Sequence, residues 1–231
     1  MSAGPEPSRH APAAAVAESE WRTRVRAALA APEAAALRTR FTAPLVTVLI
    51  ADAGEAGSGL EIALVETIAA LDRVGVPRGR QLVLLGGDPV VADVAALARA
   101  LQVAVGVPVL AHAPERAGFV AGRLASGTPI ELDDELREAE AIVTVGGWSV
   151  RADGPRGGAA LLCPGVATAA TRSAFAAARA RGSADAWGFA LAAERAAPVD
   201  LSLGWDAAGH VVAASGSEAF AAHARAGALD P

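Results

Sequence analysis

The segment Leu45–Ile50 is a β-branched run in which polar residues do not alternate with apolar ones. This pattern predicts a strand covered on both faces, because a strand with one solvent-exposed face alternates between apolar and polar side chains. The following segment, Leu60–Val74, repeats apolar residues at helical spacing and precedes Gly75, a residue type that commonly ends helices. This change of period is typical of a βαβ unit.

The same alternation of strand and helix continues along the chain and predicts its fold class. We predict an α/β fold with a mostly parallel, Rossmann-like layered sheet, flanking helices and a C-terminal hairpin plus helix. The remaining predicted strands are Gln81–Leu85, Val107–His112 and Ala141–Val145, and the hairpin is Val199–Gly216. The other predicted helices are Ser19–Ala31, Val90–Leu101, Leu132–Ala139, Thr168–Arg181 and Glu218–Ala226.

The domain organisation follows from length and from the composition of the first residues. Residues 1–18 are rich in Ala, Pro, Ser and Glu, and we expect a flexible tail because they bury little apolar surface. Residues 19–231 are enough for one α/β domain with a full core.

Composition excludes several classes of function. The 231 residues include no lysine, which excludes a Schiff-base lysine and a P-loop lysine. The net charge of −5 and the lack of a basic cluster argue against a nucleic-acid partner. No apolar stretch reaches the ~20 residues of a membrane span, and no signal peptide is evident. The single Cys163 fits a reducing compartment, so we expect a cytoplasmic protein.

Candidate site residues stand where predicted strands end, because ligands of parallel sheets bind outside the carboxyl ends of the strands. Asp52, Asp88 and His112 follow three such strands and are the candidate catalytic residues. Each also has a structural interpretation, since Asp at a strand end often caps the next helix and a single His is often structural. Arg151 and Arg156 are candidates for binding a substrate carboxylate, or are solvated loop charges.

Other residues that could carry chemistry have simpler interpretations. The glycines between Asp52 and Leu60 lack the spacing of a phosphate-binding loop, and Glu55 would repel a phosphate. Cys163 lies among apolar residues without a basic activator, which favours a buried, inert thiol. The other histidines are too far apart in sequence to form a local metal motif; they are His10, His210 and His223.

Several motifs occur in an order that resembles a known family. Gly127–Leu132 reads Gly-Thr-Pro-Ile-Glu-Leu, Glu140–Gly147 ends a strand in a glycine pair, and Gly157-Gly158 is followed by Pro164-Gly165-Val166-Ala167. Together with the closing hairpin and an Ala-His-Ala-Arg-Ala segment, they resemble the N-terminal domain of nickel-pincer lactate racemases. The resemblance spans about residues 24–229, and the C-terminal domain of that family is absent from this sequence.

The resemblance implies a 2-hydroxy-acid racemase or epimerase that uses a nickel pincer nucleotide, but most of the functional positions differ. His112 and Asp52 match motif residues of the family, whereas Glu55 replaces an Arg and Asp88 stands where a His is expected. Ala160 occupies the position of the Lys that carries the cofactor. Arg151 lies near the position of a further His, and no His occurs near Phe175, where the nickel-binding element aligns.

These differences lead to three functional hypotheses. The first is a lactate-racemase-type domain that has lost nickel-pincer chemistry, needs no cofactor and binds a small molecule or a partner protein. The second is an active isomerase subunit whose site, with Asp52, Asp88 and His112, is completed by another chain. The third is an unrelated enzyme with an Asp88–His112 acid-base pair. Expected partners are a small 2-hydroxy acid or other carboxylate, a second copy, or a racemase-like chain.

Overall fold

A layered α/β fold occupies residues 16–55, 57–87, 93–151 and 154–216, the parts of the chain that the computed structural model describes. The strands in these ranges are β1 (Thr47–Asp52), β2 (Gln81–Gly86), β3 (Val109–Ala111), β4 (Gly118–Arg123), β5 (Pro129–Asp133), β6 (Ala141–Gly147), β7 (Ser149–Arg151), β8 (Gly154–Arg156), β9 (Leu201–Trp205) and β10 (Val211–Ser215). The helices are α1 (Glu18–Ala30), α2 (Ala36–Thr39), α3 (Ser58–Val74), α4 (Val94–Val105), α5 (Ala169–Arg181) and α6 (Ser183–Ala196).

The central sheet has the strand order β10-β9-β6-β1-β2-β3. All neighbours pair in parallel except β9 and β10, which form the predicted antiparallel hairpin. β3 lies at the edge, and Pro108, directly before it, has no N–H to donate to a further strand. The predicted fold class, including the mostly parallel sheet, is confirmed.

Alternate strand residues face two separate cores, as the pleat of a sheet requires. Leu49, Val83 and Val143 pack with α1, α3 and α4 on one face. Ile50 and Ile142 pack on the opposite face, with α5, α6 and the loop that contains Leu162. α3 ends where predicted, since Gly75 adopts φ +118°, a left-handed conformation that favours glycine. Both faces of β1 are therefore covered.

One predicted helix is wrong. Residues 132–139 do not form a helix, because Pro129–Asp133 is a strand that pairs antiparallel with β4. Ile130 and Leu132 alternate into the core, and a short 3₁₀ turn at Asp134–Leu136 follows. The sequence predicts a helix here because acidic residues, which are common in the first turn of helices, follow Leu132.

Other boundaries differ by a few residues, and some elements were not predicted. α4 begins at Val94 instead of Val90, because the Asp93 carboxylate accepts from the Ala96 N–H as a helix cap. The hairpins β4–β5 and β7–β8 and the helix α6 were missed. Most of the predicted tail and the whole predicted helix Glu218–Ala226 lie outside the described residues.

Candidate functional site

The carboxyl ends of β1, β2, β3, β6 and β9 meet at one edge of the sheet, which we call the carboxyl edge. Asp52 ends β1, Gly86 ends β2, His112 follows β3 and Gly147 ends β6. Two of the candidate catalytic residues, Asp52 and His112, are therefore at the predicted edge. The third, Asp88, lies outside the described residues.

His112 is held by two hydrogen bonds inside the protein. Its Nδ1 lies 2.6 Å from Oδ2 of Asp133, the last residue of β5. Its Nε2 lies 2.9 Å from the carbonyl oxygen of Ala167, in the loop before α5. The His112 side chain is only 4% exposed. The imidazole thus connects the edge strand β3 to β5 and to this loop.

The partners of His112 determine which of its nitrogens carry hydrogen. Burial alone would raise the pKa of the Asp133 carboxyl, but hydrogen bonds from His112 and from the Glu135 N–H, together with Arg116, hold this pKa below its usual range. Ionised Asp133 is an acceptor, and so is the Ala167 carbonyl. Each ring nitrogen of His112 therefore faces an acceptor inside the protein, and we expect the ring to donate from both sides. Neither nitrogen is left to accept a proton or to bind a metal ion.

Asp52 stabilises the loop that follows its own strand. Its Oδ1 accepts from the Gly54 N–H at 2.9 Å within the turn, whereas α3 begins after Gly57 without a side-chain cap. A Cβ on Gly87 would lie 2.5 Å from this oxygen, and a Cβ on Gly146 would lie 2.6 Å from the Asp52 Cβ. Gly87, after β2, and Gly146, near the end of β6, have no Cβ, and the Asp52 side chain therefore fits between the neighbouring strands.

Glu55 adds a second carboxylate to the carboxyl edge. Its side chain lies directly over Gly147, where any Cβ would collide with it. Asp52 and Glu55 thus place two carboxylate side chains beside the glycine pair.

The turn after β2 is tied to the loop before α5. The Gly87 N–H donates to the Gly165 carbonyl at 3.0 Å, and Arg172 Nη2 donates to the Gly87 carbonyl at 3.1 Å. Cys163 in this loop is fully buried, and burial raises the pKa of its thiol to about 12. A thiol with such a high pKa is inert at neutral pH, as expected.

Of the predicted site residues, Asp52 and His112 have described side chains, and the contacts of the two differ. His112 contacts β5 and the loop before α5, whereas Asp52 contacts its own loop and the glycines of neighbouring strands. Arg151 and Arg156 lie on β7 and β8, and their side chains are outside the described part. Among the described residues, no three His, Cys, Asp or Glu side chains lie where they could hold a metal ion.

No protein-family model and no curated protein matches the sequence. Among solved structures, the chain is similar to the lactate racemase apoprotein from Thermoanaerobacterium thermosaccharolyticum, with 15% sequence identity and a TM-score of 0.69. The match covers 89% of this chain and 54% of the racemase chain. The chain has a lactate-racemase-like fold. At this identity the likeness concerns the fold alone, and the chain spans about half the length of the racemase.

Sequence reasoning missed one residue at the carboxyl edge of this lactate-racemase-like fold. Trp148, directly after β6, is 8% exposed and packs on Val212 and Ala214 of β10. Its indole Nε1 is buried without a hydrogen-bond partner in the described structure. An unsatisfied buried N–H is unfavourable, and a water molecule or ligand oxygen would satisfy it. The one sequence signal that places Trp148 at the carboxyl edge is its position directly after the glycine pair that ends β6.

The remaining described histidine lies in the hairpin turn. His210 Nδ1 lies 2.9 Å from Asp206 Oδ2, and its side chain is 70% exposed. His10 and His223 are outside the described residues. Within the described ranges, no helix is both long and apolar enough to span a bilayer.

Proposed function

We propose that this chain is a lactate-racemase-like domain that acts by binding and does not itself perform nickel-pincer racemisation. The observation that carries the proposal is the state of His112. Both of its ring nitrogens lie within hydrogen-bond distance of oxygens inside the protein, and the ring is almost fully buried. A general base needs a free nitrogen within reach of the substrate. His112 has none, so it serves as a structural cross-link.

The nickel pincer nucleotide does not fit the residues present. The sequence contains no lysine, and Ala160, at the position of the cofactor-bearing Lys, has only a methyl side chain. The described residues provide no cluster of metal-binding side chains. Loss of even a hydrogen-bond partner of a metal ligand lowers affinity or activity about 10- to 100-fold, so loss of the anchors themselves should be more severe.

Incubation with the assembled cofactor tests the proposal. The purified chain and, as the positive control, the Thermoanaerobacterium racemase would each be mixed with nickel pincer nucleotide and desalted. Bound nickel would be measured by elemental mass spectrometry, and interconversion of D- and L-lactate by chiral chromatography. We expect neither nickel retention nor interconversion by this chain. Either result at the level of the control enzyme would overturn the proposal.

A further inference from the structure

A groove opens between helices α1, α2 and α3, far from any residue discussed for the carboxyl edge. Its volume is about 510 Å³, which lies within the 300–1,000 Å³ typical of small-molecule sites. α3 ends at Val74 and β2 begins at Gln81, so the groove lies towards the amino ends of the strands. It is lined by Arg26, Leu29, Ala30, Leu37, Arg38, Glu66, Ala69, Ala70, Arg73 and Val74.

The lining combines an apolar surface with three guanidinium groups. Leu29, Leu37 and Ala70 belong to the main core and form the floor of the groove, and the partly buried Val74 lines it beside them. The only carboxylate of the lining is Glu66, and it is already ion-paired. The groove is therefore apolar and positively charged, in a chain whose net charge is −5.

Glu66 holds one of the three guanidiniums in place. Its side chain is 4% exposed and accepts from Arg26 Nε at 2.7 Å, Arg26 Nη2 at 3.0 Å and Arg22 Nη1 at 2.8 Å. Burial alone would raise the pKa of this carboxyl, but these two arginines hold it below its usual range. One buried carboxylate is thus shared by two guanidiniums, and the cluster retains a positive charge.

The other two guanidiniums have no carboxylate partner among the described residues. Arg38 Nη2 donates to the Ala31 carbonyl at 3.4 Å, and Arg73 Nε donates to the Ala69 carbonyl at 3.1 Å. A guanidinium has five N–H donors, so most donors of both side chains are available to a ligand. An arginine fork matches a carboxylate in geometry as well as in charge.

We propose that this groove binds a small organic monocarboxylate with an apolar body. The apolar body lies on the surface formed by Leu29, Leu37 and Ala70, and the carboxylate accepts from Arg38 and Arg73. The charge of the groove and its apolar floor both favour this ligand class over a neutral or a purely polar one. The inference goes beyond the proposed function and does not depend on it, because the groove shares no residue with the carboxyl edge.

Octanoate is a suitable probe, because acetate reproduces its head and 1-octanol reproduces its tail without the charge. Isothermal titration calorimetry would be carried out with each of the three on the full chain. We expect octanoate to bind more tightly than both. Arg38→Gln and Arg73→Gln should each weaken octanoate binding about tenfold, the effect of losing one charged hydrogen bond. Arg80→Gln is the matched control, an exposed arginine outside the groove, and should leave binding unchanged.

Four results would overturn the inference, three of them in the titrations and one in light scattering. The first is no octanoate binding at millimolar concentration, and the second is 1-octanol binding as tightly as octanoate. The third is equal weakening by Arg80→Gln, which would indicate a general charge effect. Light scattering of the same variants tests whether a second copy of this chain occupies the groove. If the chain forms an oligomer that Arg38→Gln dissociates, the groove is an interface between copies. Circular dichroism confirms that each variant is folded, and none of these results affects the test of nickel-pincer chemistry.

Discussion

The two ends of the central sheet use their charged side chains differently. At the carboxyl edge, His112 is bonded on both ring nitrogens and Asp52 fits between glycines. In the α1–α2–α3 groove, Arg38 and Arg73 donate only to main-chain carbonyls among the described residues. The comparison teaches that position at the carboxyl ends of parallel strands does not by itself make a side chain available for chemistry. Availability depends on whether the fold already satisfies its donors and acceptors.

The largest effect should come from removing the cross-link at the carboxyl edge. His112→Leu leaves the Asp133 carboxylate and the Ala167 carbonyl buried without their donor, and should lower the free energy of unfolding by about 3–4 kcal/mol. Urea denaturation measures this loss. His210→Leu, at an exposed position, is the control and should cost about 0.5 kcal/mol or less. Equal, small losses in both variants would mean that His112 is not a structural residue.

A pair of glycine substitutions should sharpen the description of the Asp52 site. Gly146→Ala places a methyl group 2.6 Å from the Asp52 Cβ, which cannot move independently of its strand, and should cost about 2 kcal/mol. Gly147→Ala meets side-chain atoms of Glu55 beyond its Cβ, which a change of rotamer can displace, and should cost less than Gly146→Ala, about 1 kcal/mol. Thermal unfolding of the two variants compares them directly. The reverse order would show that Asp52 is the more mobile of the two carboxylates.

A smaller effect, dependent on pH, is expected at the groove. Because the pKa of Glu66 is lowered in the folded chain, its contribution is fully present above the unfolded value of about 4.3 and is lost as pH falls through the lower folded value. Glu66→Gln should lower the free energy of unfolding by about 1 kcal/mol at neutral pH. The difference from the wild type should shrink below about pH 4.3. Urea denaturation from pH 3 to 7 measures this, and a constant difference would contradict an ionised Glu66.

The sequence predicts the sheet well because apolar runs such as Leu45–Ile50 specify burial on both faces locally. It also places His112 at a strand end. It does not predict that Asp133 binds His112, since the two residues are 21 positions apart and the strand that carries Asp133 was assigned to a helix. The groove was not predicted either, because it arises from the packing of three helices and not from any local motif.

The central claim is that the His112 ring is a buried cross-link with hydrogen on both nitrogens. Nuclear magnetic resonance of the folded chain with ¹⁵N-labelled histidine tests it directly, and comparison with His112→Leu assigns the signals. We predict a ring in which both nitrogens carry protons that exchange slowly with water. A His112 ring with one unprotonated nitrogen, or with protons in fast exchange, would contradict the account.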